Sequence, residues 1–217
     1  MVVEENKAVF RTMRNGVVLL SVTLLLMLFV SCASQQPKEQ VPQVLLILRE
    51  KMGSVDKLHM TTNEAIMMKS MLEEAGFKVV MASASVRTFV YGDITLESNL
   101  RLAEVKVTDY VGFIFPCCMG IGTASVKPEE VAIAKQAVAA GKPVAAQRKG
   151  VQILSNAGVL EGKRHAYFTG AGIYISEGVV QDGNIITSTY CPGAADYYGE
   201  DDETSQLTRL FIEAIKD

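Results

Sequence analysis

Residues 143–160 read PVAAQRKGVQILSNAGVL, the pattern of a buried strand, a sharp turn and a helix. In α/β enzymes a turn of this kind, at the carboxyl end of a parallel strand, is a common mount for the nucleophile. Here the turn is Gln147-Arg148-Lys149-Gly150. It offers no Ser, Cys or Asp for attack, so the stretch that sets the fold also questions the chemistry.

Working outward, residues 44–48 (VLLIL) form a continuous apolar run of strand length, as expected of a strand covered on both faces. Thr62-Asn63-Glu64 opens a helical pattern with Ile66, Met67, Met71 and Leu72 at helical spacing, and Ala75-Gly76 closes it. Strands follow at residues 77–81 (FKVVM) and 111–115 (VGFIF). Pro128-Glu129-Glu130 starts a helix that Gly141 ends. Residues 178–187 alternate around Asp182-Gly183, a tight hairpin turn, and residues 206–215 form a closing helix. The alternation predicts a doubly wound, mainly parallel sheet with helices on both faces and an appended β-hairpin. Met67, Met68 and Met71 read as core filler.

The first residues read differently. Lys7, Arg11 and Arg14 precede an apolar run at residues 17–30, shorter than the roughly 20 residues that span a bilayer. A basic leader before a short apolar core is the signal-peptide pattern. Phe29-Val30-Ser31-Cys32 resembles the lipobox of bacterial lipoproteins, in which the cysteine is diacylated and becomes the new N-terminus. Residues 33–42 (ASQQPKEQVP) read as a tether. The expected organisation is a signal peptide at 1–31, a lipidated Cys32 and tether at 32–42, and one folded domain at 43–217. That places the domain in the cell envelope, anchored on the extracytoplasmic side of a bacterial membrane.

Charge and cysteine usage narrow the chemistry. Lys and Arg number 21 against 24 Asp and Glu, for a net charge of −3. No basic stripe suggests nucleic acid, and no such partner is expected. With Cys32 lipidated, Cys117, Cys118 and Cys191 remain, an odd set for an oxidising compartment. Their spacing is no zinc pattern, and His59 and His165 are the only histidines. No metal is expected, and His165 reads as structural. Gly120-Ile121-Gly122 lacks the third glycine and a nearby helix start that a dinucleotide needs, so no cofactor is expected either.

Three stretches together resemble the ThiJ/PfpI family of the class I glutamine amidotransferase-like superfamily. Residues 109–118 (DYVGFIFPCC) are similar to the family's "DYDxxxxPGG". Residues 143–164, ending Glu161-Gly162-Lys163-Arg164, are similar to "PVAAICHGxxxLAxAGLLxGKR". Residues 182–188 and then Pro192-Gly193-Ala194-Ala195 are similar to "DGNxITSxGPGAA". Glu64 falls where the family keeps a glutamate ahead of "LxxAG".

The resemblance implies a flavodoxin-like fold and association as homo-oligomers, a dimer above all. It also implies a cysteine nucleophile on the turn, the first-helix glutamate beside it, and paired glycines whose N–H groups meet an oxyanion. Position by position, Arg148 stands at the cysteine and Lys149 at the following histidine, while Cys117 and Cys118 replace the glycines. Only Glu64 matches in kind. A guanidinium stays protonated and cannot attack, so the usual covalent route is lost and the resemblance implies a pseudoenzyme.

Several readings remain open. Arg148 and Lys149 beside Glu64 and Cys118 form a site for a small carboxylate or phosphate; alternatively Arg148 pairs with Glu64 and fills the former pocket. As a relocated enzyme, a hydrolase or lyase, Cys117 or Cys118 attacks with Glu64 as acid or base. As a structural or redox device, Cys117 or Cys118 bonds Cys191 across two loops.

Overall fold

The computed structural model describes residues 40–49, 55–91, 93–117, 126–175 and 178–217, excepting the side chains of 55–62 and 91. The described fold is the compact unit Val41–Asp217. In chain order its elements begin with β1 (Gln43–Ile47), α1 (Val55–Glu74), β2 (Lys78–Ser83), β3 (Arg87–Tyr91), β4 (Ile94–Ser98) and β5 (Leu100–Arg101). Next come β6 (Gly112–Phe115), α2 (Pro128–Ala139), β7 (Val144–Gln147), α3 (Val151–Asn156), β8 (Arg164–His165) and β9 (Ile173–Tyr174). The chain closes with β10 (Val179–Asp182), β11 (Ile185–Ser188), α4 (Pro192–Tyr198) and α5 (Thr204–Lys216).

Seven strands form one sheet in the order β10-β11-β7-β6-β1-β2-β5. Every neighbouring pair is parallel except β10 with β11, the hairpin that closes around Asp182 and Ile185. Strand alternation explains the layers. Val44, Leu46 and Leu48 face Ala65, Met68, Leu72, Leu207 and Phe211 of α1 and α5. Leu45 and Ile47 face the opposite way, toward Ile133, Ala134 and Ala137 of α2 and Ile153 and Leu154 of α3. Both faces of β1 are therefore dry, which is why its sequence is an unbroken apolar run. Each such fully buried side chain stabilises the fold by about 1.5–3 kcal/mol. The doubly wound, flavodoxin-like expectation holds.

Some boundaries differ from the sequence reading. α1 begins at Val55, seven residues before the Thr62 opening. Residues 55–61 hold no Gly or Pro, so nothing halts the helix, and Thr62-Asn63 lie inside it. β2 starts one residue late because the Phe77 N–H still closes on Leu72 O, after the left-handed Gly76 (φ 93). Of the three methionines only Met68 is core; Met67 is exposed and Met71 half-buried. His165 is fully buried, its ring nitrogens against the carbonyls of Ala166 and Ala171, a structural placement as expected. No helix among the described residues is long and apolar enough to cross a membrane.

Candidate functional site

β6, β7 and β11 are adjacent strands, so the segments leaving their carboxyl ends meet. At the centre, β7 ends at Gln147 and the chain turns through Arg148 with φ 46, in the left-handed region that side chains avoid. That conformation costs about 1–2 kcal/mol and persists because the surroundings impose it. On one side, buried Gln147 donates to Tyr190 O at 3.0 Å and Thr204 Oγ1 at 2.9 Å, anchoring the strand end. On the other, Gly150 brings α3 so close to β6 that an added Cβ would lie 2.3 Å from Phe115 O. The turn thus keeps the strained geometry of a nucleophile mount while carrying a cation.

The Arg148 guanidinium lies over two rings, 5.7 Å from Tyr167 and 5.5 Å from Tyr198. Burial weakens its hold on its proton, yet a hydrogen bond with Tyr198 and the nearby Cys117 and Cys191 thiols raise the balance, so it stays charged. Its buried Nε has no hydrogen-bond partner among the described residues. Lys149 enters through its backbone, whose N–H approaches the Cys117 thiol.

Glu64 comes from α1 and is 1% exposed. Its Oε1 accepts the Cys117 N–H at 2.7 Å. Burial holds the Glu64 carboxyl well above the usual range; the neighbouring Cys191 charge adds to this and the Cys117 N–H opposes it. The ion pairs found among the described residues are Arg49–Glu130, Lys69–Glu73 and Lys163–Asp182. Arg148 does not close on Glu64, so the pocket-filling pair is not what the structure holds. The Cys117 N–H, where the family resemblance implies a donor to an oxyanion, is already given to Glu64.

Two thiols complete the site. Cys117, just beyond β6, is 0% exposed, and Cys191, at the start of α4, is 2% exposed. Both are free and hydrogen-bonded to each other. Cys117 keeps the proton: that hydrogen bond and burial push its thiol up. Cys191 accepts the hydrogen bond from Cys117 and falls to about 7, opposed by burial and helped by the Ala194 N–H and Arg148. The fold therefore brings together Glu64, Cys117, Arg148 and the Lys149 backbone from the sequence reading. Cys118, the Gly120-Ile121-Gly122 stretch and Cys32 lie outside the described residues.

Cys191 was visible in the sequence only as a loop partner for a disulfide; its place in "CPGAA", where the family has "GPGAA", was the available signal. Tyr167, in a loop, and Tyr198, the last residue of α4, carried no signal, since tyrosines are ordinary at both kinds of position.

Residues 56–200 match the profile of the DJ-1/PfpI family. The deglycase PYRAB04690 of Pyrococcus abyssi is 33% identical over 127 residues, covering 54% of this chain and 76% of that protein. Deglycase PfpI of Pyrococcus furiosus is 32% identical over 132 residues, covering 56% and 78%. Among solved structures, a ThiJ/PfpI domain protein from Brachyspira murdochii superposes with a TM-score of 0.64 at 20% identity, covering 80% of this chain and 96% of that one.

Proposed function

The chain belongs to the DJ-1/PfpI family, and from that premise we propose that it is a lipid-anchored pseudoenzyme whose turn binds a small carboxylate instead of attacking a substrate. One observation carries the reading. Arg148 occupies the strained turn at φ 46 with its charge facing two tyrosine rings and no carboxylate paired to it among the described residues. A planar guanidinium matches a carboxylate through paired hydrogen bonds, and the buried Nε is a donor in want of an acceptor. Cys32 supplies the anchor at the outer face of a bacterial membrane, and self-association as a dimer accompanies it.

Calorimetric titration of the reduced protein with acetate, oxalate and inorganic phosphate tests the site. Carboxylate binding that weakens at least about tenfold in Arg148→Gln supports it; equal affinity in the variant, or no binding, refutes it. The two Pyrococcus relatives are named deglycases, so a deglycation assay belongs beside the titration. No turnover is expected. Turnover abolished by Cys117→Ser or Cys118→Ser would instead support the altered hydrolase or lyase that uses one of those thiols with Glu64.

A further inference from the structure

Glu64, Cys117 and Cys191 come from three segments distant in sequence: α1, the end of β6 and the start of α4. Their ligating atoms, one carboxylate oxygen and two sulfurs, all lie within 4.8 Å of one another. We propose that these three residues form a binding site for a thiophilic divalent cation of the zinc class.

Zinc–sulfur and zinc–oxygen bond lengths at tetrahedral angles require ligand atoms roughly 3.5–3.8 Å apart. Closing the observed cluster onto an ion therefore takes a movement of about an ångström, within reach of side-chain adjustment. The ligands are also held. The Cys117 N–H fixes Glu64 Oε1 at 2.7 Å, the Lys149 N–H meets the Cys117 sulfur, and the Ala194 N–H meets the Cys191 sulfur. Hydrogen bonds of this kind orient metal ligands and limit the cost of assembling them.

Charge points the same way. All three side chains are 2% exposed or less. Ionised together, two thiolates and a carboxylate carry three negative charges, which an apolar interior does not tolerate alone. A divalent ion and the Arg148 guanidinium would bring the cluster to neutrality. The sulfur majority selects against magnesium and calcium, which take oxygen ligands. Three protein ligands leave the fourth tetrahedral position to water. Sequence spacing hides such a site, because its ligands share no short motif; the fold alone gathers them. The inference is independent of the carboxylate reading, since Arg148 acts here only as a countercharge.

The test uses the full chain in detergent, kept reduced with a phosphine and stripped of metal with a chelator. After addition of zinc and gel filtration, mass spectrometry of metal content is expected to find one equivalent retained. Cys117→Ser and Cys191→Ser each weaken binding about 100-fold or more, and Glu64→Gln about tenfold. Cobalt(II) on the unmutated protein gives a second readout that needs no variant to fold: thiolate-to-cobalt charge-transfer bands with tetrahedral ligand-field absorption. No retained zinc together with a cobalt spectrum lacking sulfur bands overturns the proposal. So does zinc affinity unchanged in Cys191→Ser, or magnesium competing as well as zinc.

Discussion

At Gly150 one hydrogen atom decides whether the turn exists. A methyl group there would meet Phe115 O at 2.3 Å and Pro116 O at 2.8 Å, both backbone atoms that cannot swing aside. α3 would have to leave β6, and Arg148 would move with it. Gly150→Ala is therefore expected to destabilise the fold by about 2–3 kcal/mol, read from urea denaturation, although alanine is the better helix former. Stability equal to the parent would mean that the close approach is not needed. Arg148 shows the complementary logic: its left-handed backbone is a cost retained at the turn even though no sulfur is there to exploit it.

Between elements, Asp182 ties the β10–β11 hairpin to β8. Its two carboxylate oxygens accept the Arg164 N–H and the Lys163 ammonium, each at 3.0 Å. The Arg164 N–H first, then Lys163, hold its pKa below the ordinary 3.8. A depressed carboxylate stabilises the folded state above its unfolded pKa, and that contribution is lost as pH falls through the folded value. The melting temperature of the parent should exceed that of Asp182→Asn near neutral pH. The gap should shrink once pH drops below 3.8. A gap independent of pH would show that the ion pair and its backbone hydrogen bond do not support the hairpin. The same Asp182-Gly183 step was legible in sequence because a tight turn demands those residue types.

Across the whole molecule, the sheet was readable because strands buried on both faces leave unbroken apolar runs, as residues 44–48 do. The start of α1 was not, since residues 55–61 neither favour nor forbid a helix strongly enough to compete with the Thr62-Asn63 opening. The turn was readable through its motif. What surrounds it was not: the Glu64 bond to the Cys117 N–H and the contact between Cys117 and Cys191 join α1, the end of β6 and the start of α4, which are distant in sequence and meet only through the tertiary fold. Anchoring belongs to this scale too. Cys32→Ala is expected to shift the protein from the detergent-soluble membrane fraction to the aqueous fraction. Absence of labelled fatty acid from the parent protein after growth with labelled palmitate would rule out lipid at Cys32.

A cation on the strained turn should receive an anion. A crystal of the reduced protein soaked with acetate tests it most directly. Carboxylate density is expected against the Arg148 guanidinium, beside Tyr167 and Tyr198, and absent from Arg148→Gln crystals. A guanidinium closed onto Glu64, with no acetate bound, would contradict it.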